Sequence, residues 1–346
     1  MSTHKALLLL EKQGKYAVQD IPTPKPGPGE LLIEIKATGL NPVDWKIHDY
    51  AFFVTEYPAI LGTDSAGTVK EIGEGVTGFA VGDRVLHQGY FSNTKATFQQ
   101  YTIVPAEITA KLPSNLTFEQ GSTIPLVLAT AAFGLYSGKV TTGELRGAEL
   151  TAPWEEGGRG KYAGQPIVIV GGSSAVGQQA TQLAKLSGFS PIIVTASLKN
   201  TDFLKSLGAT HVIDRNADLP SSVKAITSDP IKYVYDAISL KQTQESAYEV
   251  LASGGTLILV LDFAVDEAKV DKTKRVAKVF GTTYDPAQNA LGTSLYKKLT
   301  KLLESGDLKP NHVEVLPNGL AGIPDGLEKL KANQVSASKL VAQPWA

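Results

Sequence analysis

Cysteine is absent from this chain of 346 residues. Disulfide bonds, a cysteine nucleophile and thiolate metal sites are therefore excluded. Histidine is scarce as well: the five histidines lie far apart, and no two stand in an H-x-x-x-H arrangement. A zinc site built from two histidines and a carboxylate is consequently disfavoured, and we expect no bound metal.

Long apolar runs and an excess of one charge are also missing. No run approaches the roughly 18 apolar residues of a membrane span, and the N-terminal stretch "MSTHKALLLLEKQG" lacks the length and cleavage site of a signal peptide. The formal net charge is −1, which favours neither nucleic acid nor an anionic membrane as a partner. We expect a cytoplasmic protein with neither partner.

The chain is long enough for two domains, and its sequence pattern changes along its length. Up to about residue 125, short strand-like runs such as "ELLIEIKATGL", "AGTVKEIG", "GDRVLH" and "QQYTIVP" alternate with turn signals, which predicts a β-barrel region. The segment 116–138 is predicted to be helical, with Thr117 as its N-cap and Gly138 just past its end.

From residue 166 onward, strands and helices alternate. Six apolar runs predict strands, namely "IVIV" (167–170), "IIVT" (192–195), "HVID" (211–214), "YVYDAI" (233–238), "TLILVL" (256–261) and "AKVFGT" (277–282). Such runs with helices between them indicate an α/β, doubly wound parallel sheet of the Rossmann type. The final runs "HVEVLP" and "SKLVAQ" return to the β pattern.

These patterns set the predicted domain boundaries. We predict one domain from residues 1–125 plus 308–346 and a nucleotide-binding domain from residues 126–307. The segment 147–164 fits neither pattern, and its glycines, prolines and charges predict an exposed excursion between the two domains.

The stretch "PIVIVGGSSAVGQQATQLAKLSG" (166–188) predicts a phosphate-binding loop between a strand and a helix. Gly171 and Gly172 permit a tight turn, Gly177 lets the helix pack closely on the sheet, and Gly188 caps the helix end. Ser174 replaces the usual middle glycine, and its hydroxyl can donate to a phosphate. The predicted contacts are Gly171, Gly172, Ser173, Ser174, Ala175, Val176 and Gly177. The alternative is a glycine turn that binds no ligand.

The end of the second strand indicates which dinucleotide binds. An NAD-binding protein usually has an acidic residue there, whereas "IIVTASLKN" has Ser197, Lys199 and Asn200, and Arg215 follows the third strand. A hydroxyl and two cations suit a 2′-phosphate, which an acid would repel. We therefore predict NADPH as cofactor, with solvated surface charge as the alternative for the two cations.

Three further motifs carry a family resemblance: "ATGLNPVDWKI" (37–47), "YPAILGTDSAGTVKEIGEGVTGFAVGDRV" (57–85) and "LTFEQGSTIPLVLATAAFGL" (116–135). With the phosphate loop, they make nearly the whole chain resemble the medium-chain dehydrogenase/reductase superfamily. The resemblance implies a GroES-like β-barrel catalytic domain beside a Rossmann domain, with the active site in the cleft between them. Zinc alcohol dehydrogenases have Cys, His and Glu where this chain has Asn41, Thr63 and Asp64.

The chain therefore looks like the zinc-independent branch of that superfamily. It is most similar to the enoyl reductases that include trans-acting partners of polyketide synthases and toxin-cluster reductases. This implies NADPH-dependent reduction of an α,β-unsaturated carbonyl compound, free or tethered to a carrier, by a monomer or homodimer. Reduction of an activated C=C bond needs no metal, because hydrogen-bond donors can stabilise the enolate. A quinone oxidoreductase and a non-catalytic NADPH-binding protein are the alternatives.

The resemblance also implies site residues. Val43, Asp44, Trp45 and Lys46 face the nicotinamide in similar enzymes; Lys46 is predicted to bind cofactor or carry charge toward the enolate, and Asp44 to be structural. Thr130 is predicted beside the nicotinamide and the substrate. Alternatively, Lys46 is a surface lysine and Thr130 bonds to its own helix. The remaining predicted contacts are Val260 and Leu261 for the cofactor, and Tyr50, Phe280, Gly281, Thr282 and Tyr284 for the substrate, both tyrosines being candidate proton donors.

Overall fold

The computed structural model describes residues 2–346 and divides into two compact units. The first unit comprises the chain up to Leu126 with residues 296–304 and 310–346, and the second comprises residues 127–295 and 305–309. The domain boundaries given by the sequence patterns remain a proposal about which segments fold independently. Across residues 2–346, no helix combines the length and the apolar character needed to cross a bilayer.

The first unit is built mainly from strands. Its strands are β1 (Thr3–Leu9), β2 (Tyr16–Pro22), β3 (Glu30–Gly39), β4 (Ala59–Ile60), β5 (Asp64–Ile72), β6 (Arg84–Gln88), β7 (Tyr101–Pro105), β8 (Thr109–Lys111), β15 (His312–Val315) and β16 (Ser338–Ala342). Its helices are α1 (Pro42–Tyr50), α2 (Phe118–Gly121) and α9 (Ile323–Lys331). The leucine run at the N-terminus forms β1 and packs into an apolar core with α1 and α9.

Strand pairing in the first unit produces two sheets. One has the order β2-β1-β4, and the other has the order β15-β16-β3-β5-β6-β8, with β7 also paired to β3. A single bridge between Ala6 and Gln99 connects β1 to the segment before β7. Among the residues that the structure describes, this pairing does not close into a barrel.

The second unit contains a six-stranded sheet in which every neighbouring pair is parallel. Its strands are β9 (Ile167–Val170), β10 (Ile192–Ala196), β11 (His211–Asp214), β12 (Tyr233–Asp236), β13 (Thr256–Leu259) and β14 (Arg275–Lys278), in the order β11-β10-β9-β12-β13-β14. Its helices are α4 (Ala175–Ser187), α5 (Thr201–Leu207), α6 (Leu219–Ile226) and α7 (Lys241–Val250), with most of α3 (Pro125–Tyr136). The helix α8 (Asn289–Glu304) contributes residues to both units. This strand order is the doubly wound Rossmann arrangement that the apolar runs predict.

Four local predictions need correction. The helix predicted over 116–138 is interrupted before Pro125, although Thr117 does cap its first part by accepting from Gln120 N at 3.2 Å. The last Rossmann strand is Arg275–Lys278 rather than 277–282, and the strand before it ends at Leu259 rather than at residue 261. The segment 147–164 lies within the second unit rather than between the domains; Ala152 and Trp154 are buried, whereas most of residues 155–164 are exposed as predicted.

Candidate functional site

A tight turn joins β9 to α4 in the second unit. Ser174 is the N-cap of α4, and its hydroxyl oxygen accepts from Gly177 N at 3.0 Å, which leaves the hydroxyl proton able to donate. At such a helix start the backbone N–H groups point toward the N-terminal side. The helix ends at Gly188, whose φ of +89° confirms the predicted cap. The segment therefore has the geometry of an anion-binding helix start.

The glycines of this turn are required by close packing. A Cβ on Gly171 would lie 2.5 Å from Ile238 Cγ1, and one on Gly172 would lie 2.8 Å from Val194 Cβ. A Cβ on Gly177 would overlap the carbonyl oxygen of Gly171. These three positions therefore need glycine because neighbouring protein atoms occupy the space of a side chain.

The turn is bonded directly to the second strand of the sheet. Gly171 N donates to the hydroxyl oxygen of Thr195 at 3.0 Å, and Gly172 N donates to the Thr195 carbonyl oxygen at 2.9 Å. Two residues further along the chain, Ser197 begins the short 3₁₀ turn that contains Lys199 and Asn200. The phosphate turn and the "TASLKN" segment thus form one continuous edge of the second unit, at the carboxyl ends of β9 and β10.

Arg215 joins this edge through strand pairing. Ala196 of β10 pairs with Asp214 of β11, and Arg215 N donates to the Ala196 carbonyl oxygen at 3.0 Å, so Arg215 follows directly beside Ser197. Lys199 and Arg215 are exposed, whereas Asn200 is buried and its Nδ2 has no hydrogen-bond partner. Both cations can therefore reach a ligand from solvent.

The other side of the phosphate turn contains residues that the sequence patterns do not single out. Ile238 follows β12 and contacts Gly171, and Ser239 accepts from Val260 N at 2.9 Å. The run "YVYDAI" is predicted as strand to its end, yet β12 stops at Asp236. The rule that ligands bind at the carboxyl ends of strands flanking the switch point could have identified this turn.

Another group of predicted residues meets inside the second unit. A Cβ on Gly281 would overlap the Thr130 hydroxyl oxygen, so the segment after β14 lies against α3. Thr130 also accepts, through its carbonyl oxygen, from the Tyr235 hydroxyl at 2.8 Å. Phe280 has the Arg146 guanidinium 5.8 Å from its ring centroid, and Tyr284 N donates to Thr282 Oγ1 at 3.3 Å.

The first unit supplies the predicted residues of α1, namely Val43, Asp44, Trp45, Lys46 and Tyr50. Burial lowers the pKa of Lys46, whose Nζ lies 5.6 Å from the Trp45 ring centroid. Asp44 is fully buried; it accepts from Asn41 N at 2.7 Å, and burial raises its pKa to about 8. Asp44 therefore caps the helix, while Tyr50 is 65% exposed.

A buried ion pair joins Lys339 to Asp64, one of the three residues that the family resemblance places at the zinc-ligand positions. Asp64 is fully buried and Lys339 is 3% exposed, and the Lys339 ammonium donates to Asp64 Oδ2 and to the Thr123 carbonyl oxygen. Asn41 Nδ2 donates to the same carboxylate oxygen at 2.8 Å, and Leu126 N donates to Asp64 Oδ1 at 2.6 Å. Within residues 2–346, no group of three or more His, Cys, Asp or Glu side chains could hold a metal ion.

Comparison with known proteins gives matches over most of the chain. Residues 27–114 match the alcohol dehydrogenase GroES-like domain family, and residues 175–282 match the zinc-binding dehydrogenase family. A trans-enoyl reductase from Aspergillus japonicus is 35% identical over 91% of this chain and 89% of that protein. A trans-enoyl reductase from a Penicillium species is 30% identical over 98% of both chains. This chain belongs to the medium-chain dehydrogenase/reductase superfamily.

Solved structures of superfamily members agree with this fold. A crystal structure of an alcohol dehydrogenase superfamily protein from Novosphingobium aromaticivorans is 26% identical, covers 98% of both chains and has a TM-score of 0.81. The predicted fold class is thereby confirmed: a parallel Rossmann-type sheet accompanies a separate GroES-like unit. As a medium-chain dehydrogenase/reductase, the chain is an enzyme, and its chemistry is that of an oxidoreductase.

Proposed function

We propose that this medium-chain oxidoreductase reduces the C=C bond of α,β-unsaturated carbonyl compounds with NADPH and without zinc. The observation that carries the proposal is the buried pair of Asp64 and Lys339, because the family resemblance places Asp64 at a zinc-ligand position. Without a metal to hold an alkoxide, reduction of a simple ketone is disfavoured, and conjugate reduction is favoured. The trans-enoyl reductase relatives support the same reaction.

The side chains around Asp64 do not fit a zinc ion. Both carboxylate oxygens are already engaged, one by the Lys339 ammonium and Asn41 and the other by the Leu126 amide. A cation in this pocket would meet the ammonium, and the nearby Thr63 hydroxyl is a weaker zinc ligand than an imidazole. No step of the proposed reaction therefore uses a metal.

The second unit fits a phosphorylated dinucleotide. Gly171, Gly172 and Gly177 allow the tight turn that leads from β9 into the start of α4, where the helix dipole attracts anions. Ser197, Lys199, Asn200 and Arg215 lie on the edge next to this turn, where they would hold a 2′-phosphate. The unpaired amide of Asn200 is available to the same group. These contacts support NADPH over NADH.

A bound nicotinamide would supply hydride for the β-carbon of the substrate. The protein must then stabilise negative charge on the substrate oxygen and provide a proton for the α-carbon. Lys46 suits the first task, because its half-buried ammonium exerts a stronger field than a hydrated one. Thr130 can orient the carbonyl group or the cofactor through its hydroxyl, and Tyr50 or Tyr284 can deliver the proton.

An assay with three classes of acceptor tests this proposal. NADPH oxidation is followed with an enal, an enone and a saturated aldehyde, and the products are identified by mass spectrometry. We expect saturation of both alkenes and no alcohol from the aldehyde. Reduction of the aldehyde with both alkenes untouched would contradict the proposal.

The same assay separates the competing functions. Faster turnover of a small quinone than of any enone would identify a quinone oxidoreductase. Tight NADPH binding without oxidation by any acceptor would identify a non-catalytic nucleotide-binding protein. Comparing a free enone with the same acyl group on a carrier protein would show in which form the substrate is delivered.

A further inference from the structure

A strained turn lies at the carboxyl end of β12, beside the phosphate turn. Asp236 is fully buried, and its carboxylate accepts from Ile238 N at 2.9 Å, Ser239 N at 2.8 Å and the Thr243 hydroxyl at 2.7 Å. These bonds hold Ser239 at a φ of +56°, a left-handed conformation that is unfavourable for a residue with a side chain.

Ser239 and Gln244 connect this turn to the loop after β13. The Ser239 hydroxyl donates to the Asp236 carbonyl oxygen at 2.7 Å and accepts from Val260 N at 2.9 Å. The fully buried amide of Gln244 donates to the carbonyl oxygens of Ser239 and Asp262, both at 2.8 Å, and accepts from Ala264 N at 2.8 Å. The loop 260–264 is therefore held by three hydrogen bonds with two side chains, Ser239 in the turn after β12 and Gln244 on α7.

The sheet order indicates which part of a dinucleotide meets this loop. The phosphate turn follows β9, the strand order reverses between β9 and β12, and Ser197 and Arg215 lie on the β10–β11 side. A dinucleotide that crosses the switch point with its adenosine 2′-phosphate on that side must extend its other half toward β12 and β13. Backbone strain that the surroundings enforce is concentrated at functional sites.

We propose that Asp236, Ser239 and Gln244 form a positioning cluster that fixes the loop 260–264 against the nicotinamide half of the cofactor. These residues act through the backbone of Val260 and its neighbours, and they are positioning residues rather than catalytic ones. The inference rests on the proposed use of NADPH. It adds that the adenosine half is held on the β10–β11 side, whereas the nicotinamide half is held by the loop after β13. Loss of the cluster leaves a mobile loop, which must then be ordered when the cofactor binds.

Two ligands that share the adenosine half test this inference by titration calorimetry. NADPH carries both halves, whereas adenosine 2′,5′-bisphosphate lacks the nicotinamide half. We expect Gln244→Met to raise the Kd for NADPH about tenfold and to change the Kd for adenosine 2′,5′-bisphosphate less than about twofold. Ser239→Ala removes only the hydroxyl group. It should raise the Kd for NADPH by a smaller factor and also leave the Kd for adenosine 2′,5′-bisphosphate nearly unchanged. This variant replaces Gln244→Met in the test if Gln244→Met folds poorly.

Gln182→Met is the matched control, because Gln182 is also a buried amide, bonded to the backbone of Lys309 away from both strand ends. It should leave both dissociation constants unchanged. Equal weakening of both ligands by Gln244→Met, or no change in either, would overturn the inference while the proposed function stands. Wild-type protein that binds neither ligand would instead overturn the proposed function, and this inference with it.

Discussion

A single added methyl group tests the role of Gly177. Because the alanine Cβ would overlap the Gly171 carbonyl oxygen, Gly177→Ala must displace the phosphate turn from α4. We expect a loss of about 1–3 kcal/mol in the free energy of unfolding and loss of NADPH binding. Gly138→Ala is the control, since its nearest neighbour would be 3.6 Å away. Thermal unfolding and calorimetry measure both effects; normal NADPH affinity in Gly177→Ala would exclude the turn as the pyrophosphate site.

The exposed cation Lys199 carries the prediction on cofactor choice. Each charge-assisted contact to a 2′-phosphate is worth about 1–2 kcal/mol, so two cations give a roughly 30- to 1000-fold preference for NADPH in kcat/KM. Lys199→Ala should lower kcat/KM for NADPH about tenfold and leave that for NADH unchanged. Lys205→Ala, an exposed lysine on α5, should change neither. Equal losses with both cofactors would assign Lys199 to the fold or to the pyrophosphate.

Replacing Ser197 tests the same edge by adding a negative charge instead of removing a positive one. Ser197→Asp adds repulsion against a 2′-phosphate and offers a carboxylate to a free 2′-hydroxyl group. The ratio of kcat/KM for NADPH to that for NADH should therefore fall further than in Lys199→Ala. Wild-type enzyme that uses both cofactors equally would remove the basis of this prediction.

The buried imidazole of His87 predicts a pH dependence of stability. Burial lowers the pKa of His87 to about 4, below the ordinary value of 6.5, and its Nε2 lies 2.7 Å from the Ser65 hydroxyl. The unfolded chain therefore binds the proton first as pH falls, and stability decreases between about pH 6.5 and pH 4. This one group should cost about 2 kcal/mol at pH 5. Urea unfolding of His87→Gln should show a flatter pH profile, whereas that of the exposed His211→Gln should match wild type.

At the scale of elements, the pair of Lys339 and Asp64 joins β16 to β5 and, through Asn41, to the start of α1. Lys339→Met leaves a buried carboxylate without a counter-ion and should cost about 3–5 kcal/mol. Combining it with Asp64→Asn removes that charge and should recover about half of the loss. Urea unfolding followed by tryptophan fluorescence measures both variants; a double variant less stable than Lys339→Met would show that the pair is not charge-coupled.

The elements differ in how far the sequence predicts them. The six apolar runs locate the Rossmann strands, because parallel strands covered on both faces consist almost entirely of apolar residues. The same signal fails after Lys278, where Val279 and Thr282 are buried by packing rather than by strand pairing. An apolar run therefore predicts burial but does not distinguish the two causes.

The residues of the candidate site also differ in how far the sequence predicts them. The phosphate turn is local in sequence, so its glycines and its cap can be predicted from spacing. The contact of Lys339 with Asp64 joins positions 275 residues apart, and no pattern near either residue indicates it. Ser239 and Gln244 also remain hidden, because their importance depends on the loop that strand order brings beside them.

At the scale of the whole molecule, cofactor binding should stabilise the folded enzyme. NADPH at 100 times its Kd adds about 2.7 kcal/mol to the free energy of unfolding, because only the folded state binds it. The melting temperature should therefore rise with NADPH and rise less with the same concentration of NADH. Gly177→Ala should show no shift with either nucleotide, and an equal shift in that variant would place the cofactor elsewhere.

β16 pairs with β3 in the first unit, so this unit is assembled from segments that are synthesised at different times. Asp64 is made before the strands of the second unit, whereas Lys339, which neutralises it, and Leu340, which bonds to Leu40, are made after them. The strands of the second unit lie within one continuous stretch and can pair as soon as they emerge. During synthesis Asp64 therefore lacks its counter-ion until the strands of the second unit have been made, and the first unit completes its strand pairing after the second.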